Sequence, residues 1–297
     1  MTADIPSSVG LLVAGMHRSG TSAATRVFNL LGCALPPNLI PPVNDENPSG
    51  FWESRDVYKL NEEILGTAGL AWHDIEPLPK AWGETVTVRR FAARIAELLK
   101  DHLEEEPLWV VKDPRISRTL GVWSHALEMR GDTLKLCIVL RHPDEVAASI
   151  ARRNGFPHSY GKLLWLRYNL DVEQYSRTLD RAFVSYEDLL CDWEGTIDRA
   201  TRQLELVLPN HSYDALSRAE AFLEPRLRHE VASPAAPVTT DGNAELTATA
   251  YLALCQLIED AASEVARASL DRVREEFDKG FSAFGRLVFD LRQTIAT

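Results

Sequence analysis

The run Leu11-Leu-Val-Ala-Gly-Met-His-Arg-Ser-Gly-Thr-Ser22 constrains the chain more than any other. Apolar residues give way to Gly15, then to a short polar stretch closed by Gly20, then to residues with helical spacing. A buried strand, a tight turn and a helix start account for that order. Gly15, Gly20 and Ser22 stand where the phosphate-loop pattern G-x-x-x-x-G-K-[ST] has its glycines and its hydroxyl. Thr21 replaces the lysine, and Arg18 supplies a cation inside the loop, next to His17 and Ser19. Backbone N–H groups and the positive end of the following helix would still cradle an anion. The missing lysine is the one aimed at β- and γ-phosphates, so the pattern predicts a nucleotide other than an ordinary triphosphate.

Such an anion must be held locally, because the 297-residue chain carries a formal net charge of −11. That balance argues against a nucleic-acid partner or an acidic membrane surface. With 45% hydrophobic and 25% charged residues, the chain has apolar mass for a real core. The four cysteines, Cys33, Cys137, Cys191 and Cys255, form no C-x-x-C pair, so neither a disulfide framework nor a metal site is expected. Met1-Thr-Ala-Asp-Ile-Pro lacks the regions of a signal peptide, and no uncharged run reaches the length of a membrane span. The expectation is a cytoplasmic protein with no integral membrane segment.

Residues 10–15 predict the first strand and 21–32 a helix; 34–50, with five prolines, predict an irregular loop. Helical spacing recurs over 55–65 and 88–103, and apolar strand runs over 108–111 and 134–140. Pro143 opens a helix over 144–153; further helices are expected over 160–179 and 186–206, with a short strand at 182–184 between them. Alternating strands and helices imply an α/β fold, a three-layer parallel sheet with helices on both faces. Residues 1–230 form the core domain on this reading, 231–243 a linker, and 244–297 a helical C-terminal extension. In that extension Gly280 and the charged segment before it are expected to separate two helices, packed on the core or used in self-association as a homodimer. Polar motifs follow the first three strands, at the carboxyl ends where open parallel sheets bind ligands.

The second of these motifs is Arg141-His-Pro-Asp-Glu-Val-Ala-Ala-Ser149, in which Arg141 offers a planar fork to a phosphate and Ser149 a hydroxyl. The other reading of Arg141 is an ion pair with Asp144 or Glu145. With this motif the chain resembles the P-loop sulfotransferases, whose donor is 3′-phosphoadenosine 5′-phosphosulfate (PAPS) and whose product is 3′-phosphoadenosine 5′-phosphate (PAP). The resemblance covers roughly residues 10–230. Gly15–Ser22 is similar to the 5′-phosphosulfate loop in its arginine-containing bacterial form, and Arg141 with Ser149 to the 3′-phosphate motif. Ser185-Tyr-Glu-Asp-Leu189 is similar to the strand-to-helix segment that follows, which implies that Tyr186 lies against the nucleotide. Asn47-Pro-Ser-Gly-Phe-Trp-Glu53, Val111-Lys-Asp-Pro-Arg115 and Leu223-Glu-Pro-Arg-Leu-Arg-His229 resemble segments of a bacterial branch. Two departures stand out: the strand end reads Lys112-Asp113-Pro114 where the small-molecule branch has a catalytic histidine in K-T-H, and no R-K-G segment occurs near the C-terminus. Arg226, Arg228 and His229 are the candidates to replace its phosphate contact.

The resemblance implies in-line transfer of a sulfuryl group to a hydroxyl of a glycan, lipid or secondary metabolite, with Arg18, Gly20–Ser22 and Lys112 at the phosphosulfate end. An acceptor hydroxyl needs a general base. Glu53, following Phe51-Trp52, is the first candidate; its other reading is as the cap of the helix beginning near Ser54, or as a partner of Arg55. His17 and Asp113 are alternative bases, and Asp113 alternatively holds Lys112 or Arg115. Trp52, Trp72, His73 and Trp82 form an acceptor wall or ordinary core, and Trp165, with Arg167 and Tyr168, approaches from the other side. Two other classes compete: a P-loop kinase-like phosphotransferase, for which Asp113 would have to hold a metal, and a non-catalytic nucleotide-binding interaction module.

Overall fold

The computed structural model describes residues 8–43, 47–79, 82–223 and 242–295. Its centre is a parallel sheet of four strands among the described residues, β1 (Val9–Ala14), β2 (Leu108–Lys112), β3 (Thr133–Leu140) and β4 (Arg181–Ser185), in the order β2-β1-β3-β4. Leu11 of β1 stands level with Val110 of β2 and Lys135 of β3. Because side chains alternate along a strand, Leu12 and Ala14 enter one core with Ile95, Trp123, Trp165 and Leu254. Leu11 and Val13 enter a second core on the opposite face with Phe28, Ile197 and Leu204. The three-layer α/β arrangement follows from that double burial.

The first face is covered by α2 (Arg55–Thr67), α3 (Val86–Leu103), α4 (Ile116–Arg130), α5 (Pro143–Asn154) and α6 (His158–Tyr175). The second is covered by α1 (Thr21–Leu30), α7 (Tyr186–Cys191), α8 (Trp193–Gln203) and α9 (Tyr213–Phe222). Local chemistry starts several of these helices: Ser54 caps α2 by accepting the Asp56 N–H (3.3 Å), Thr85 caps α3 by accepting the Val88 N–H (3.2 Å), and Pro143 sits in the first turn of α5. Two helices, α4 and α9, fall where the spacing predicts none. The helix expected over 186–206 is two, because Asp192 breaks it and caps α8 by accepting the Gly195 N–H (3.1 Å).

The C-terminal region holds α10 (Gly242–Glu259) and α11 (Glu264–Ile295). The break falls at 260–263, and Gly280, expected to separate two helices, lies inside α11. The predicted linker lies outside the described residues as far as 241. Helix α10 packs on α6 and β4, while α11 is tied down by ion pairs. Asp278 meets Arg167 at 2.5 Å, Asp271 meets Arg177 at 2.6 Å, and Arg274 meets Asp171 at 3.2 Å. No helix among the described residues is long and apolar enough to cross a membrane.

Asp171 is the hub of this buried charge network. Its carboxylate lies 3.3 Å from Arg167 Nη1 and 2.8 Å from Arg118 Nε, the latter close by distance although the N–H is not aligned with the oxygen. Those two guanidiniums also donate to the carbonyls of Ile75 (2.7 Å) and Asp74 (2.7 Å), which fixes the segment after Trp72. Removing one partner of a buried ion pair leaves uncompensated charge. Asp171→Asn is therefore expected to lower stability by about 3–5 kcal/mol, read as a fall in the urea midpoint at unchanged slope. Arg274→Met, which leaves Asp171 two guanidiniums, should cost far less, and equal losses would contradict the hub.

Candidate functional site

All four strands end at one cleft of about 680 Å³, lined by Arg18 after β1, Lys112 and Arg115 at the end of β2, Arg141 after β3 and Tyr186 after β4. The loop after β1 needs its glycines for close approach. Gly15 has φ +143°, and a Cβ there would stand 2.5 Å from the Val139 carbonyl oxygen of β3. Gly20, at the N-cap of α1, has φ +89°, and a Cβ there would stand 2.0 Å from the Tyr186 ring. The Gly15 N–H donates to Ser117 Oγ (2.9 Å) and the Ser19 N–H to the Met16 carbonyl (3.1 Å). Beyond them, the first N–H groups of α1, from Thr21 and Ser22, have no intrahelical partner by construction.

Arg18 sits at φ 69°, a left-handed conformation that costs a non-glycine residue about 1–2 kcal/mol. Two contacts hold it there. Its Nε donates to Ser149 Oγ (2.9 Å), and its carbonyl accepts from Arg141 Nη1 (3.0 Å). The predicted phosphate pair Arg141 and Ser149 is thus wired directly into the loop. Arg141 also pairs with Glu145 (2.8 Å), so the ion-pair reading of this residue holds alongside the loop contact. Its guanidinium carbon lies 4.9 Å from the Tyr186 ring centre, and its carbonyl accepts the Trp165 indole N–H (3.0 Å).

Lys112 is buried at the end of β2. Its Nζ donates to Ser22 Oγ (3.1 Å) and to the Phe51 carbonyl (3.0 Å), and it forms a short ion pair with Glu53 Oε1. Ser22 Oγ donates to the same Phe51 carbonyl (3.0 Å). Glu53 therefore neither caps α2, which Ser54 does, nor pairs with Arg55. It faces a lysine 59 positions away.

His17 lines the cleft with its ring 4.7 Å from Trp72 and 5.6 Å from Tyr168. Burial, reinforced by Arg115, Arg153, Lys112 and Arg18, holds its pKa well below the ordinary histidine value, so the ring is neutral. Among the described residues, His17 Nε2 and Ser19 Oγ are buried without a hydrogen-bond partner.

Asp113 is fully buried and outside the cleft lining. It accepts the Arg115 N–H (2.7 Å) and lies 3.2 Å from Arg115 Nη1. Burial pushes its carboxyl up to about 6 against the opposing pull of Arg115, and Glu53 pushes the same way. Arg115 is held further by an ion pair with Glu62 and by the Tyr58 ring, 4.5 Å from its guanidinium carbon. Of the four residues expected to form an acceptor wall, Trp72 lines the cleft. Trp52 turns away, its φ 56° aiming the ring at Arg26 (4.3 Å) and Phe222 (6.1 Å). Trp165 is fully buried and positions Arg141 instead, and Trp82 packs half-buried against the α3 core. Arg228, like Arg226 and His229, lies outside the described residues.

Sequence reasoning missed Arg55, Tyr58, Lys59 and Arg153 as cleft residues. The i, i+3, i+4 spacing of the first three was the available signal. No group of three His, Cys, Asp or Glu is placed to hold a metal among the described residues.

No protein-family model matches the chain, and neither does any curated protein. Among solved structures it is similar to the sulfotransferase domain from the Synechococcus PCC 7002 olefin synthase, with 21% identity over 89% of this chain and 98% of that one and a TM-score of 0.47. It is similar also to the sulfotransferase STF1 from Mycobacterium tuberculosis H37Rv, with 15% identity over 73% and 72% of the two chains and a TM-score of 0.43. A sulfotransferase domain from the curacin biosynthetic pathway gives 14% identity over 79% and 82%, with a TM-score of 0.39. All three likenesses are distant.

Asp113 gives the site a pH signature. The unfolded chain releases this proton near pH 4 and the native state near pH 6. Between those values the native state binds more protons, so this group removes stability as pH rises. Asp113→Asn, which does not ionise, should gain on the wild type by up to about 3 kcal/mol between pH 4 and pH 7 in urea unfolding. A difference that stays constant across that range would contradict the assignment.

Proposed function

We propose that the chain is a sulfotransferase moving the sulfuryl group of PAPS to a hydroxyl of a small-molecule, lipid or glycan acceptor. One observation carries the reading: the Gly15–Ser22 loop and the Arg141–Ser149 pair, on neighbouring strand ends, are bonded together through Arg18, with a lysine–carboxylate pair beside the loop, and we read them as two anion stations. A donor with two separated anionic ends calls for two stations, whereas a triphosphate calls for one extended loop with its lysine. The cradle fits such a donor. Its glycines admit close backbone approach, and the buried Ser19 Oγ and His17 Nε2 lack protein partners, a costly condition that a ligand oxygen would relieve. On this reading the loop N–H groups, Arg18, Ser22 and Lys112 hold the 5′ end, while Arg141, Ser149 and Tyr186 hold the 3′-phosphate end. Bound PAPS supplies an activated sulfuryl group on a phosphate leaving group.

The chain's own residues then have distinct tasks. Glu53 accepts the acceptor's hydroxyl proton on a carboxylate oxygen. Lys112 compensates Glu53 while it is charged, and as the carboxylate is neutralised the ammonium is left to the Ser22 side, where negative charge on the leaving oxygen needs it. His17, neutral, has one ring nitrogen available to orient the hydroxyl and is the second candidate base. The kinase reading is disfavoured by Asp113, whose carboxylate is committed to the Arg115 N–H and guanidinium rather than aimed at a metal.

Calorimetry with PAP and with Mg-ATP tests the donor. PAP should bind without Mg²⁺, and Arg141→Ala should weaken it by about 10- to 100-fold, the worth of a charge-assisted hydrogen bond, with the melting temperature recorded to exclude unfolding. Glu53→Gln should keep PAP binding and lower sulfuryl transfer by about 10²- to 10⁴-fold. Preference for Mg-ATP, or PAP binding indifferent to Arg141, would overturn the reading.

A further inference from the structure

The acceptor side of the cleft carries its own cations. Helix α2 begins two residues after Glu53, so its first turns border the proposed base rather than the donor loop. Arg55, Tyr58 and Lys59 share one face of that helix by their spacing, and all three line the cleft. Tyr58 is turned towards Arg115 of the β2 strand end, which fixes the direction of that face. Arg153, from the last turn of α5, lines the same cleft with its guanidinium carbon 5.3 Å from the Trp72 ring centre.

Local physics does not ask for a cation at Arg55. The N-terminus of a helix carries partial positive charge and favours acids there, yet its first residue is Arg55. Lys59, four residues on, repels it. Both side chains are exposed, and among the described residues neither has an ion-pair partner. The neighbouring acids are engaged elsewhere: Asp56 accepts from Asn38 (3.1 Å), Glu63 pairs with Arg94 (2.6 Å), and Glu62 pairs with Arg115. Lys59 also borders a second groove with Asp56, Glu63, Glu97 and Asp101, but Arg55 has no acid three or four residues on. In a chain of net charge −11, two exposed cations without ion-pair partners among the described residues, both lining the cleft beside the proposed base, mark a place suited to an anion.

We propose that the acceptor is itself an anion, a hydroxylated molecule whose carboxylate or phosphate is held by Arg55 and Lys59, with Arg153 and Trp72 bounding the pocket opposite. The roles of acceptor and donor rest on the sulfotransferase reading; the anion site on α2 does not. Trp72 and Tyr58 give the pocket flat faces suited to a ring, and three matched ring probes therefore test it: 4-hydroxybenzoate, 4-hydroxyphenyl phosphate and the neutral 4-hydroxybenzamide. Each is titrated into the PAP-saturated full chain by calorimetry, for the wild type and for the Arg55→Gln, Lys59→Gln double variant.

At least one anion should bind about tenfold or more tighter than the amide, a margin of about 1.4 kcal/mol. Which anion binds better decides between carboxylate and phosphate. The double variant should lose that margin while PAP affinity stays within about twofold, since neither residue is among those assigned to the donor. An amide that binds as well as both anions, no binding of either anion, or a margin untouched by the double variant would overturn the proposal. If PAP itself fails to bind, the donor reading falls, and the same titrations without PAP still decide the anion site.

Discussion

A buried ammonium sets the geometry of this cleft. Lys112 ends a strand whose residues are all buried, and its charge is tolerable there only with close partners. It finds them in Ser22 at the start of α1, in the Phe51 carbonyl and in Glu53, which ties the 51–54 segment to the end of β2. Ser54 then caps α2 directly beside Glu53, so the position of Lys112 decides where that helix starts and which of its residues face the cleft. The carboxylate that makes Lys112 tolerable is the same group that the proposed function assigns to take a proton.

The second constraint is electrostatic contrast. The chain as a whole repels anions, yet the cleft gathers arginines and lysines from three strand ends and from α2 and α5, with one carboxylate, Glu53, in its lining among the described residues. Charges within a low-dielectric concavity are screened far less than the exposed acids around them. A local field can therefore override the global one, which is what the proposed binding of small anions in the cleft requires.

Much of this was legible in the chain because the signals are local. The strand–glycine–helix order of 9–22, the apolar runs of the sheet and the Arg141-to-Ser149 spacing each lie within one short continuous stretch of chain. What escaped was tertiary. Helix α4 buries Ser117, Arg118 and Thr119 along with its apolar residues while Gly121 and Met129 are exposed, so polarity does not mark its buried face. Helix α9 buries only small residues, Ala215 and Ala219. The Glu53–Lys112 pair joins positions with no sequence relation, and no pattern distinguishes Trp72, on the cleft, from Trp52, which a left-handed backbone turns towards Arg26.

In the proposed function, two coupled anion stations hold the two ends of one donor nucleotide. A crystal structure of the full chain grown with PAP would show this. The 5′-phosphate is expected against the Gly15–Ser22 loop and Lys112, and the 3′-phosphate against Arg141 and Ser149. A nucleotide bound with both phosphates on the loop, or elsewhere in the molecule, would contradict it.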